Sequence, residues 1–119
     1  MKLYGSVRVS RLVYVYDGDT IRVEVDGWPA IIGAGLSIRI NGIDTPELRS
    51  KDEDEVGRAY EAKAFVVAAL KGAQAIWLTN MQRGKYFRIV ADVEVDGVNL
   101  APQLIEAGLA VEYDGGTKV

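Results

Sequence analysis

Four stretches of this 119-residue chain carry polar side chains at spacings that packing does not require. Asp17-Gly18-Asp19-Thr20 follows one apolar run, and Asp44-Thr45-Pro46-Glu47 follows another. Arg39 interrupts a strand-like apolar stretch (Leu36, Ile38, Ile40, Ile43), and Arg83, Lys85 and Arg88 surround Tyr86. Carboxylates beside a turn suit a hard cation, which takes about 6–8 oxygen ligands, including main-chain carbonyls and waters. Guanidinium groups suit phosphate, which they bind through two parallel hydrogen bonds. Jointly these residues supply what an oxygen-metal phosphodiesterase needs. Asp19 and Asp44 would hold a cation, Glu47 would serve a water, and Arg39 and Arg88 would meet a phosphate.

Each stretch also has a plainer reading. Asp-Gly is a common turn former, so Asp17-Gly18 reads as a hairpin. Thr45 reads as a helix cap with Pro46 in the first helical position, although Leu48-Arg49-Ser50-Lys51-Asp52 brings no apolar helical period. Arg39 reads as a residue on the solvent face of a barrel strand, and the Arg83–Arg88 charges as a solvated loop.

Composition narrows the chemistry. The chain has no cysteine and no histidine, which removes disulfides, thiolate and imidazole metal ligands, and histidine bases. Any catalysis must rest on carboxylates, cationic side chains and hydroxyls. A formal charge of -3 argues mildly against nucleic acid, whose non-specific binders are usually basic. A nuclease reading therefore needs a local basic site and a cation. No stretch reaches the roughly 18 apolar residues of a membrane span, and no signal core follows Lys2. The expectation is either a protein that stays inside the cell, cytoplasmic by default, or one whose leader lies outside this sequence, with no membrane partner and an oligomeric state that the sequence leaves open.

Residues 1–119 form a single predicted domain. Residues 4–16 read as a long strand, 20–25 as a second and 36–43 as a third. Residues 56–71 take a helical period with Ala59, Ala62, Val66 and Leu70 near one face, and Gly72 closes it. Residues 75–79 predict a short strand, 80–86 a polar connection and 87–95 a fifth strand. Asn99 caps a second helix that tolerates Pro102 and ends at Gly108. Three strands, helix, two strands, helix is the order of a mainly β fold with α: a five-stranded OB-type Greek-key barrel with two packed helices.

The motifs DGDT at 17–20, IRINGIDTPE at 38–47, KYFR at 85–88 and DG…NLAPQLIEAGLA at 96–110 resemble the thermonuclease (staphylococcal nuclease-like) family in order and separation. The resemblance runs from about Tyr14 to Ala110. It implies an OB barrel that hydrolyses DNA or RNA, single strands preferred, with Ca2+, leaving 3′-phosphate ends. Position by position, it makes Asp19 and Asp44 calcium carboxylates and adds the Thr45 carbonyl. It makes Glu47 the general base and Arg39 and Arg88 the phosphate-binding arginines. Lys85 and Tyr86 match residues lining a terminal-phosphate pocket.

There are departures from the pattern. Phe87 stands where the family usually has glycine, and its ring either narrows the approach to Arg88 or packs into the barrel. The sequence stops at Val119, so the family's third helix is expected to be missing or very short, which would bear on stability more than on chemistry. Tyr113 lies near the place of a base-stacking tyrosine. Besides the calcium-dependent nuclease, two other readings stand: a catalytically inactive OB-type module that binds nucleic acid or protein, and a plain interaction domain.

Overall fold

The alternation of Leu36, Ile38 and Ile40 against Ser37 and Arg39 sets the centre of the sheet. The computed structural model describes residues 2–85 and 87–113. Strand β4 (Leu36–Ile40) buries its three apolar residues, and Ser37 and Arg39 project from the opposite face, as the two-residue period requires. On one side β4 pairs antiparallel with β3 (Thr20–Glu24), and β3 pairs with β2 (Arg11–Asp17). On the other side it pairs in parallel with β7 (Ile89–Val95), which pairs with β6 (Ile76–Arg83). β6 in turn holds β1 (Val7–Arg8).

The predicted first strand is thus two pieces on opposite sides of the barrel, β1 against β6 and β2 against β3. At the step between them, the Val9 N–H donates to the Ile76 carbonyl and the Ser10 N–H to the Glu24 carbonyl. The chain curls the sheet back toward its starting edge there, and the result is a mainly β, OB-type barrel. Ile21, Val23, Ile38, Ile40, Leu78 and Val93 fill its interior, almost fully buried. Each such side chain contributes about 1.5–3 kcal/mol on burial.

Between β3 and β4 lies a one-turn helix, α1 (Ala30–Gly33), which the sequence reading did not anticipate. β5 (Ile43–Asp44) follows β4. The long helix α2 (Glu53–Lys71) begins three residues earlier than its apolar period suggests. Asp52 caps it by accepting the Asp54 N–H, and three acidic residues occupy its first turn, where the helix dipole favours them. Its buried face is Ala59, Ala62, Val66 and Leu70, as expected.

β6 extends to Arg83, so most of the expected polar connection after Thr79 is strand. Its outward residues are polar because that face meets solvent. After β7, Asp96 and Gly97 both take left-handed φ (50° and 86°), the conformation a two-residue hairpin turn demands. β8 (Val98–Asn99) returns against β7. Asn99 caps α3 (Leu100–Glu106), whose Leu100 and Leu104 are fully buried. β9 (Val111–Glu112) then pairs with β5.

Candidate active site

The β2–β3 turn and the end of β5 meet although 26 residues separate Asp19 from Thr45. Asp19 Oδ2 accepts the Thr45 main-chain N–H at 3.1 Å and the Thr45 hydroxyl at 3.1 Å. Both residues are buried. Gly18 makes the approach possible. A Cβ there would lie 2.8 Å from Ala62 Cβ and 2.8 Å from Thr45 Cγ2. The Asp-Gly pair at 17–18 is therefore more than a turn former: the glycine lets the turn touch both α2 and the Asp44-Thr45 segment.

Arg39 projects from the outer face of β4 between the two acidic segments. Its Nη1 lies 3.2 Å from Asp19 Oδ2 and its Nη2 3.3 Å from Asp44 Oδ1. The three side chains are only 13%, 11% and 18% exposed. Arg39 is thus not on a solvated face. Its neighbours in register are Thr20 on β3 and Val90 on β7, and Arg88 precedes Val90 by two residues.

One pocket of about 620 Å³ is lined by Asp17, Asp19, Arg39, Asp44, Thr45, Glu47, Lys85 and Arg88. Arg83 and Tyr113 also line it, so the Arg83–Arg88 charges are not merely a solvated loop. The chemistry-bearing positions singled out from sequence converge here, save Tyr86, which lies outside the described residues. The Tyr113 ring centroid is 5.5 Å from the Arg39 guanidinium carbon.

Two guanidinium nitrogens, Arg39 Nη1 and Arg88 Nε, are buried and have no hydrogen-bond partner among the described residues. Although Arg39 Nη1 is within ion-pair distance of Asp19, it makes no hydrogen bond to it. Leaving such a donor without a hydrogen bond costs about 1–3 kcal/mol, which the nearby Asp19 charge offsets in part for Arg39.

The electrostatics separate the acids. Burial pushes the Asp17 carboxyl up to about 7, helped by its hydrogen bond with Asp19 and by the Asp19 charge. Burial would raise Asp19 as well, but the Asp17 hydrogen bond, the Arg39 guanidinium and the Thr45 and Thr20 donors hold it below its usual value. Asp17 was read from sequence as turn alone. Its place in the pocket is signalled in the sequence only by its standing two residues before Asp19.

Glu47 is exposed at the pocket rim, on a segment with no helix. The cap reading of Thr45 therefore fails, and the segment is held differently. Glu55, in the first turn of α2, accepts the Glu47 N–H at 3.3 Å and the Ser50 hydroxyl at 2.7 Å. Those bonds hold the Glu55 carboxyl below its usual value, the Ser50 hydroxyl being the larger cause. Glu55 has no periodic or motif signal in the sequence.

Phe87 resolves the open question about its ring. It takes φ 56° and is 73% exposed, so it neither enters the barrel nor lines the pocket. The left-handed backbone explains why glycine suits this position. Just before it, Gly84 donates its N–H to the Arg88 carbonyl at 2.9 Å. A Cβ at Gly84 would stand 3.1 Å from Arg88 Cγ, so the tip of the β6–β7 hairpin packs directly on the Arg88 stem.

An OB-type barrel with carboxylates and arginines gathered on the outer face of β2–β3–β4–β7 defines the class. The profile of the family described as staphylococcal nuclease homologue matches residues 37–118. The chain belongs to that family. It is also 32% identical over 91 residues to a protein of Schizosaccharomyces pombe named "Probable endonuclease", with 71% of this chain covered. The chain spans about 39% of that relative's length.

Proposed function

We propose that this domain is a calcium-dependent nuclease that hydrolyses phosphodiester bonds of DNA or RNA. The observation that carries the reading is the pair of buried guanidinium nitrogens that make no hydrogen bond among the described residues, Arg39 Nη1 and Arg88 Nε, in one pocket with Asp19, Asp44 and Glu47. Family membership and the name of the yeast relative support the same reaction class.

The donor set fits a hard cation. It consists of carboxylate and carbonyl oxygens, with no imidazole or thiolate. Asp19 and Asp44 would hold the ion with the Thr45 carbonyl. Among the described residues no three acidic side chains form a complete metal cluster, so waters must fill the remaining positions. When bound, such an ion supplies Lewis-acid polarisation of a phosphoryl oxygen.

The chain's own groups do the rest. Glu47 accepts a proton from the water whose oxygen attacks phosphorus. The bond from phosphorus to the 5′ oxygen breaks, giving a 3′-phosphate and a 5′-hydroxyl, an assignment that rests on the family resemblance. Arg39 and Arg88 meet the negative charge that builds on the non-bridging oxygens, without reorganising as it forms. Lys85 and Tyr86 would contact the terminal phosphate. Glu55 and Ser50 act only on the position of the Glu47 segment.

The test is digestion of single-stranded DNA and of RNA with calcium and with chelator, using the parent and Glu47→Gln. The parent should cut only with the metal. Glu47→Gln should lower turnover by about 10²–10⁴, the usual contribution of a positioned base, with an unchanged unfolding midpoint. Equal turnover would remove Glu47 from the reaction. Binding without cutting by the parent would mark the domain as a binding module.

A further inference from the structure

We infer that Tyr14 and Tyr16, with Arg22, form a base-stacking subsite that carries a single strand away from the pocket over β2 and β3. The inference rests on the nuclease reading of the pocket and extends it to the nucleotides flanking the bond that is cut.

Three observations place the subsite. Tyr16 lines the pocket, and the Tyr14 ring stands edge-on to it with centroids 6.5 Å apart. The two rings are 41% and 46% exposed, on a strand whose intervening Val15 is buried. Arg22 is the direct cross-strand partner of Tyr14, so both side chains project from the same face. That is also the outer face of the sheet, since Ile21 and Val23 on either side of Arg22 are fully buried.

Local geometry explains why large rings sit there. The pairing of β2 with β3 slips between Leu12 and Tyr14 and again between Val15 and Asp17. Val13 and Tyr16 are the extra residues. Bulges of this kind bend a strand and re-aim its side chains, often beside active sites. Here the second bulge delivers Tyr16 to the pocket wall and leaves Tyr14 one step further out.

The chemistry selects the occupant. Exposed aromatic rings on an OB-type sheet accept unstacked bases of any sequence. A duplex keeps its bases stacked and paired and gains nothing from such rings. Arg22 donates Nη1 to the Gly35 carbonyl at 3.0 Å, and the rest of its five-donor fork suits one backbone phosphate. Arg22 on β3 pairs with Ser37, two residues before Arg39 on β4, and Arg39 pairs with Val90, two residues after Arg88, so these three give a local basic row on a chain of net charge -3.

The experiment measures Tyr14→Ala, Tyr14→Phe and Arg22→Gln. Two substrates are used, a single strand of roughly ten nucleotides, within the site sizes of such folds, and a dinucleotide confined to the pocket. Binding is read with calcium in a Glu47→Gln background, and cleavage in the parent background. Tyr14→Ala should weaken binding of the long strand by about 5- to 100-fold. It should raise KM for that strand by a similar factor, leave kcat alone, and leave dinucleotide cleavage unchanged. Tyr14→Phe should behave as the parent. Arg22→Gln should lower the slope of log K against log salt by about 0.7 on the single strand. Equal losses on both substrates, no loss on the long strand, or failure of phenylalanine to rescue would each overturn the subsite. If the parent cuts the long strand and Tyr14→Ala is indistinguishable, the subsite falls while the nuclease reading stands. If the parent neither binds nor cuts, both fall.

Discussion

Asp19 Oδ2 accepts two hydrogen bonds from Thr45, one from its main chain and one from its hydroxyl, each at 3.1 Å. This contact joins the β2–β3 turn to the acidic segment after β4, and the pocket depends on it. Thr45→Val removes the hydroxyl and leaves a buried carboxylate short of a donor. We expect a loss of about 1.5–3 kcal/mol in unfolding free energy, the range for hydrogen bonds to charged groups. Urea unfolding checks it, and an unchanged midpoint would mean that the main-chain donor alone suffices.

Gly18→Ala should act on the same junction from the other side. The added methyl meets Ala62 and Thr45 at 2.8 Å, and overpacking of this kind costs about 1–3 kcal/mol. Activity should fall further than stability explains, because the turn can relieve the clash only by moving Asp19. Full activity at a temperature where the variant is folded would show that Asp19 tolerates the displacement.

The two arginines differ in surroundings and should respond alike to lysine. Lysine keeps the charge but cannot present two parallel donors. Arg39→Lys and Arg88→Lys should each lower kcat by about 10²–10³, as loss of one preorganised donor does elsewhere. Single-turnover kinetics is the measurement. A variant that keeps parental kcat places its arginine outside the transition state.

Asp17 offers a pH test in the presence of chelator. Its folded-state value is raised to about 7 from an ordinary 3.8. Between those values the folded protein holds a proton that the unfolded chain has released, so stability falls as pH rises from about 4 to about 7. Asp17→Asn cannot titrate and should flatten that fall. The variant gains nothing at pH 4. Above pH 7 its advantage is about 1–2 kcal/mol, after discounting the three-unit shift for partial exposure. Thermal melts across this range decide it: a constant difference between variant and parent would mean that the two carboxylates do not share a proton.

Phe87→Gly should stabilise the protein slightly. A left-handed φ costs an L-residue roughly 1–2 kcal/mol, and the exposed ring loses no packing. The extra freedom of glycine in the unfolded chain takes back about 0.5–1 kcal/mol. A net gain of up to about 1 kcal/mol is expected in urea. A lower midpoint would show that the ring makes a contact worth more than its strain.

The barrel was legible because its strands alternate and its long helix is periodic. Leu36, Ile38 and Ile40 announce a buried face, and Ala59, Ala62, Val66 and Leu70 announce a helical one. The pairing of β5 with β9 was not legible, since two-residue strands carry no period. The β6 extension is not legible because a bulge between Thr79 and Gln82, with Asn80 at φ 49°, breaks the two-residue period and sets buried Leu78 and Met81 three apart. At the site, residue types and the family resemblance indicated Asp19, Arg39, Asp44, Glu47 and Arg88. Glu55 and Gly18 act through contacts that only folding creates: one accepts hydrogen bonds from a loop, the other makes room for a neighbour.

The β5–β9 clasp has a consequence for the order in which the protein matures. Asp44 gains its strand partner only when Val111 arrives, and the Tyr113 N–H then fastens to the Gly42 carbonyl. Most of the barrel is made by residues that leave the ribosome earlier. A nascent chain halted short of residue 111 should therefore hold a nearly complete β scaffold with its acidic wall unfastened. On the nuclease reading, such a chain should cut less than one that includes residues 111–113. Pairing of Val111 with Asp44 would be the step that completes the pocket wall, and nuclease assays on ribosome-stalled chains of graded length would register that onset.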